Sequence, residues 1–491
     1  MIRQCYISFM FLCLSLLSAQ VPDTLWTRTY GCALDDRGMS VQVTSDGGFI
    51  IGGYTFIAGG GGFNFYLLKT DENGDTVWSG LYGGSSADFA SSVQQTSDGG
   101  YVLAGYSYSF GGLRPDVYII KTDSLGIVQW DKVYGGAEDD AGCDITQTHD
   151  GGYIITGYTS SFGTGLEDLW LLKTDPSGDT IWAKTYGTMF IDGGAAVLQT
   201  VDSGYVITGY NGSGAVSSLW ILKTDSNGDM VWSKIYSPGN HSGGTSIHET
   251  IDGGFIVAGT TFAGAGESDF WLLKIDSQGD TLWTRTYGGP YADDALSVKQ
   301  TCEGGYIVVG RTWSFGAGLE ELYIVRTDSV GDVLWAETFG GTYDDRAQSV
   351  DLTPDRGYVI VGNTESFGAG DHDIWLLRIE PDPHGIEEYE HDHNVVTYFK
   401  VSPNPFRHHA DIRWQITDEG NKVGDRGVEI RVYDTGGRLV RDFVESFVIG
   451  YQSSVQWHGL DDSNRRVPSG VYFVKLEAGH CRATGKVLLI R

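Results

Sequence analysis

Tryptophan returns along this 491-residue chain on a nearly fixed period. Trp26, Trp78, Trp130, Trp182, Trp232, Trp283 and Trp335 are separated by 52, 52, 52, 50, 51 and 52 residues. Each marks a copy of four short strand-like runs, clearest in the third copy as "DITQT", "YIITGYT", "DLWLLKTD" and "DTIWAKTYG". Turns recur between them, "HDGG" after the first run and "PSG" after the third. Four strands on a period of about fifty residues are what a β-propeller blade requires. The chain ends separate a ring from an open solenoid. "DTLWTRTYG" (Asp23 to Gly31) has no blade before it, and the seventh copy stops at "DIWLLRIE" (Asp373 to Glu380) without its fourth run. The spare strand at the front fits the gap at the back, leaving no open edge. The prediction is an all-β chain whose residues 20–380 form a seven-bladed β-propeller closed by the N-terminal strand.

One recurrent string imitates a calcium loop. "KTDENGDTVW" (Lys69 to Trp78) returns at Lys173, Lys223 and Lys274, with aspartates on alternate residues. Calcium needs oxygen ligands at those positions in every working copy. Leu125, Ile127 and Val330 occupy them in copies two and six. The string is therefore read as a hairpin between third and fourth strands. Gly74 and its counterparts supply positive φ, and Asp71 and its counterparts bond the turn backbone.

Alternating strand direction places the short hairpins at one end of every blade and the longer "SFGTGLED"-type loops and "YGGAEDD" links at the other. Long loops on a rigid scaffold are where binding resides. On that face Asp36, Asp88, Asp140, Asp192, Asp293 and Asp345 enter the first strands, with Ser242 in the remaining copy. A second set, Asp116, Asp168, Asp269, Glu321 and Asp373, opens the third strands. Two readings follow. The acids cap turns and tie blades together, or the first six form a carboxylate ring that holds a cation or basic ligand. The six are the candidate ligand-binding residues.

No catalytic, metal or cofactor set emerges. Near-identical copies offer the same groups seven times, whereas catalysis needs unlike groups in one place. The repeat loosens in copies four and five, around His241 and His248, where a grafted pocket would be easiest to place. The net charge of −30 argues against nucleic acid or an anionic membrane as partner.

Residues 1–19 read as a signal peptide, with Arg3, an apolar run from Ile7 to Leu17 and small residues Ser18-Ala19. The run is short for a membrane span, and the mature chain offers no other. Cys32, Cys143, Cys302 and Cys481 remain, at unrelated places in the repeat, and are expected as buried, inert thiols.

The downstream tryptophans resemble the tryptophan-docking repeat of quinoprotein propellers and, more loosely, the Asp-box of sialidases. Neither spacing is matched strictly, so the resemblance implies blade architecture alone. After an acidic linker at 381–397, residues 398–491 show strand-like runs without the blade signature. "VSPNPF" at Val401, "VEIRVYDTGGRLVR" at Val428, "VQWHGLDDSNRRVPSGVYFVKL" at Val455 and the terminal "GKVLLIR" resemble type IX secretion C-terminal sorting domains. They are also similar to the immunoglobulin-like domain of flagellar hook-capping proteins. Ser402 and His458 depart from the pattern, where Tyr and Asp are usual. The resemblance implies a small immunoglobulin-like β-sandwich read by outer-membrane secretion machinery, and a protein secreted or held at the cell surface. The expected function is non-enzymatic binding of a polysaccharide or protein ligand. The alternatives are a surface glycan hydrolase or lyase with its site near copies four and five, and a structural surface-layer component.

Overall fold

The computed structural model describes residues 21–58, 62–213, 216–237, 241–264, 266–382, 394–402, 406–418, 428–434, 438–445, 452–461, 465–478 and 481–490. The signal peptide read at residues 1–19 and most of the linker lie outside them. The regular structure among the described residues is all β, in two compact units that divide within the linker. No helix is long and apolar enough to cross a membrane.

Seven four-stranded antiparallel sheets follow one another in the first unit. The third is typical, with Asp140–Gln147, Tyr153–Thr159, Asp168–Thr174 and Thr180–Tyr186 paired in that order. In the seventh, Asp345–Leu352, Tyr358–Thr364 and Asp373–Ile379 are joined by Thr24–Tyr30, which pairs antiparallel with Asp373–Ile379. Repeated sheets of this kind are propeller architecture. The first strands are also laced side by side. Gln94 Oε1 accepts the Gln147 N–H at 2.6 Å, Asp144 Oδ2 accepts that of Val197 at 2.9 Å, and Asp351 Oδ2 accepts that of Val43 at 2.9 Å.

Sequence period explains the layering. "DLWLLKT" is buried at every position, as a strand covered on both faces must be, while "TIWAKTY" is exposed or half-buried throughout as an outer strand is. The first strands of sheets one to six each carry a bulge, in the third sheet between Gly142 and Asp144. The bulge presses the opposite backbone so close that a side chain at Gly157 would run into the Ala141 carbonyl.

In the first six sheets the recurrent hairpin holds the sheet to the fourth strand that precedes it. Asp71 Oδ1 accepts the N–H of Asn73 and of Asp75, both at 2.9 Å, and Gly74 sits at φ +78°. The Tyr82 hydroxyl of the first sheet donates to the Gly126 carbonyl of the second, 2.6 Å away, and Trp78 stacks edge-on against Tyr101 at 5.7 Å. A cation of one fourth strand meets the acid after the next hairpin glycine, as in Lys132–Asp179 at 2.9 Å. Where the cation is missing, at Gly80, its acid is missing too, and Ile127 stands there. One of the positions that exclude calcium, Ile127, thus coincides with the loss of an ion pair, while the hairpin that carries Val330 keeps its pair, Arg285–Asp332 at 3.4 Å.

The "DGG" turns hold a second ion pair. Lys121, Lys173, Lys223 and Lys274 are buried in the third strands, and their ammonium groups reach Asp98, Asp150, Asp202 and Asp252 at 2.9–3.0 Å.

The second unit packs a three-stranded and a four-stranded sheet around one core that includes Ile412, Trp457, Val432, Tyr472 and Val487. The residues of the tail motifs build it. Trp457 meets Tyr472 edge-on at 5.0 Å, and its indole N–H donates to the Leu460 carbonyl at 2.9 Å. Phe406 of "SPNPF" accepts from Ile490 and donates to Leu488, both at 2.9 Å, which fastens the last strand.

Candidate ligand-binding face

Each of the six predicted aspartates is buried at the first position of a first strand. Asp140 accepts from the Thr159 hydroxyl, the Ser161 hydroxyl at 2.7 Å and the Gly136 N–H at 2.8 Å. Asp88 repeats this with Ser107, Ser109 and Gly84, and Asp293 with Thr312, Ser314 and Gly289. Asp36 takes the Thr55 hydroxyl and the Cys32 N–H. Asp192 takes Asn211, Gly212 and Thr188, and Asp345 the N–H of Gly341. Each carboxylate knots the link entering its sheet to the loop leaving the second strand. Among the described residues no three His, Cys, Asp or Glu side chains gather as a metal-holding group.

Three acids of the second set, Asp168, Glu321 and Asp373, do the same one loop further on. Asp168 accepts the N–H groups of Thr164 and Gly165 at 2.8 Å, and Asp373 those of Ala369 and Gly370. Asp116 departs from this. Leu113 stands at the position of Gly165 and is fully exposed. Burial, and then the nearby Asp140 charge, raise the Asp116 carboxyl to about 6.

One residue past each knot, half-buried side chains line the same end of the sheets. Cross-strand neighbours there are Arg37 with Tyr54, Phe89 with Tyr106, Ala141 with Tyr158, Gly193 with Tyr210 and Asp294 with Arg311. Sheets one to four therefore present tyrosines. Phe89 stacks on Tyr106 at 5.1 Å and meets Tyr54 edge-on at 4.9 Å. Ionic groups gather at sheets six, seven and one. Arg311 pairs with Asp294 at 3.0 Å, Glu320 lies 3.5 Å from Arg311 and 3.4 Å from Arg346, and Arg37 holds Asp35 at 2.9 Å.

A cavity of about 470 Å³ opens on this face, lined by Glu267, Tyr291, Ala292 and Trp313. Its walls are the Glu267 loop of the fifth sheet, the link from the fifth sheet to the sixth and the Trp313 loop of the sixth, and Asp293 is their knot. The Asp293 N–H donates to Ser268 at 2.7 Å, that of Trp313 donates to Ala292 at 2.9 Å, and that of Tyr291 to the Ser314 hydroxyl at 3.0 Å. Trp313 is 37% exposed and Tyr291 58%. The Arg311 guanidinium covers one face of Trp313, 5.0 Å from its centre. The sequence does hold a signal for this place. Every other tryptophan of the repeats falls in one of two recurrent columns, and Trp313 in neither.

The divergent sector of copies four and five is less organised. His241 approaches the Ser217 N–H at 3.4 Å and the Phe262 ring. His248 is on the first strand Ser242–Glu249, where burial and Lys299 lower its pKa to about 3. Seven residues of strand separate the two histidines, roughly 23 Å. The thiols also differ from expectation. Cys32 and Cys302 are exposed, because they fall on a link and a hairpin tip, and Cys143, at a bulge, is half-buried. The Cys481 side chain lies outside the described residues.

No protein-family model matches the chain, and no curated protein matches it. Among solved structures it is similar to PorZ, a bacterial surface component of the type IX secretion system of Porphyromonas gingivalis, at 13% identity and a TM-score of 0.41. That match covers 92% of this chain and 59% of PorZ, so the chain spans little more than half of that protein's length. The β-propeller domain of the Trilobed protease from Pyrococcus furiosus matches at 9% identity and a TM-score of 0.39, over 72% of this chain and 94% of that one. A puromycin hydrolase matches at 12% identity and a TM-score of 0.45, over 78% and 59%.

Proposed function

We propose that this is an exported, non-enzymatic binding protein whose seven sheets close into one propeller, and that its long-loop face binds a polysaccharide. The observation that carries the reading is the aromatic surface of that face. The Ser-Phe-Gly turns leave Phe162, Phe315 and Phe367 exposed, and Tyr108, Phe262, Tyr291, Trp313 and Tyr343 join them. Rings fixed on a rigid scaffold with open faces suit the flat C–H surfaces of sugar rings. The buried carboxylates hold the loops that carry these rings.

The C-terminal unit is proposed as an immunoglobulin-like sorting domain that directs the chain through the outer membrane to the cell surface or medium. The motif residues Phe406, Trp457 and Tyr472 form its core and secure its last strand, in keeping with that resemblance. A glycan and protein-ligand array probed with the chain from Gln20 tests the binding reading. Retention on polysaccharides is expected. Retention on proteins alone would replace the ligand class, and turnover of a bound glycan would replace binding with catalysis.

A further inference from the structure

We propose that the cavity between the fifth and sixth sheets is a subsite for one neutral sugar ring, with Trp313 and Tyr291 as its stacking walls and Glu267 as acceptor for sugar hydroxyls. The proposal rests on the polysaccharide reading and sharpens it to a place and a ligand charge.

Shape comes first. A volume of about 470 Å³ lies in the range of small-ligand sites, roughly 300–1,000 Å³. The two aromatic walls come from different loops held to each other by backbone and Ser314 hydrogen bonds, so they are fixed before a ligand arrives. The pair occurs in one copy only. The seventh copy keeps Tyr343 where Tyr291 stands but has Glu365 in place of Trp313, and the second has Tyr108 but Ser86. A repeat that departs from its own pattern at two facing positions has one place unlike the rest.

Charge selects the sugar. Glu267 is the charged side chain that lines the cavity, so a uronic or sulfated sugar meets repulsion there, within a chain of net charge −30. Arg311 offers an anion little, because Asp294 and Glu320 already take its guanidinium. An amino sugar would bring its cation to an indole whose other face already carries Arg311. A neutral ring stacks without either cost.

Calorimetric titration of the chain from Gln20 with cellohexaose, mannohexaose, xylohexaose and an oligogalacturonate tests this. At least one neutral hexasaccharide is expected to bind, and the oligogalacturonate not. Trp313→Ala and Tyr291→Ala should each weaken binding about tenfold, as loss of an aromatic anchor does, and Glu267→Gln several-fold. Tyr291 and Glu267 are exposed, so these two variants should melt with the parent and remain decisive if Trp313→Ala misfolds. Neutral-sugar binding that all three variants retain at parental affinity overturns the subsite and leaves the polysaccharide reading standing. Preference for the oligogalacturonate overturns the neutral assignment. Binding of none of these sugars overturns the subsite, and an array also without glycan hits removes the polysaccharide reading with it.

Discussion

The indole N–H of Trp335 donates to Asp382 Oδ1 across 2.8 Å. In the other sheets, the tryptophan of one fourth strand packs beside the hairpin of the next sheet. The seventh sheet takes its fourth strand from the N-terminus and so has no such hairpin. Asp382 stands in for it, and also accepts from Arg326 at 2.6 Å and from the Tyr358 hydroxyl at 2.9 Å. Removing it takes the nearer of two carboxylates from the buried Arg326 guanidinium and leaves it Glu303, 3.5 Å away. Asp382→Ala should therefore cost about 3 kcal/mol, read by denaturant unfolding, and Asp382→Asn distinctly less. An unchanged midpoint for the alanine variant would mean the seam is held elsewhere.

Deletion of Pro22 to Tyr30 should act on the same seam from the other side. It strips Thr24–Tyr30 from Asp373–Ile379 and removes Trp26, whose burial contributes on the order of 3 kcal/mol. Early melting or aggregation is expected. A full-length melting temperature after the deletion would contradict closure by this strand.

How much of this is legible in the sequence differs by level. Strand number and order follow from the tryptophan period and the two chain ends, because each copy repeats the same burial pattern. The six aspartates are visible as positions, but their partners Thr159 and Ser161 lie 19 and 21 residues beyond Asp140 and meet it only in the folded sheet. A carboxylate ring and a set of knots therefore look alike on paper. Lys121 is harder still, since a charged residue in a fully buried strand makes sense only once Asp98 is beside it. Tyr291 and Trp313 escape notice for the opposite reason. Reading seven copies for what they share hides what one copy alone contains.

Acid should weaken the fold through the lysine-bound turns. Burial acts against the Asp98 carboxylate, but Thr96, Lys121 and the Gly100 N–H outweigh it and hold its pKa at about 2. Asp150, Asp202 and Asp252 are lowered likewise. A carboxyl whose folded pKa lies below its unfolded value stabilises the fold above the unfolded value, near 4, and loses that contribution as pH falls toward 2. Chemical stability should accordingly drop between about pH 4 and pH 2, and Asp98→Asn should flatten that slope. A slope unaltered by the substitution would remove these pairs from the account.

Asp116 has the opposite sign. Its folded pKa is raised to about 6, so the folded state holds a proton that the unfolded chain has released, and stability falls as pH rises from about 4 to 6. Asp116→Asn should raise the melting temperature at pH 7 by roughly 2–4 °C, what about 1 kcal/mol does in a domain of a few hundred residues. The gain should vanish at pH 4. A variant that melts lower at pH 7 would show that the charged form is wanted.

Hydrogen exchange with and without a saturating polysaccharide from the array asks most directly whether the long-loop face is the binding face. The account predicts slowed exchange in residues 288–292 and 311–319, with the short hairpins at the other end of the sheets unchanged. Protection confined to those hairpins, or to the C-terminal unit, would contradict it.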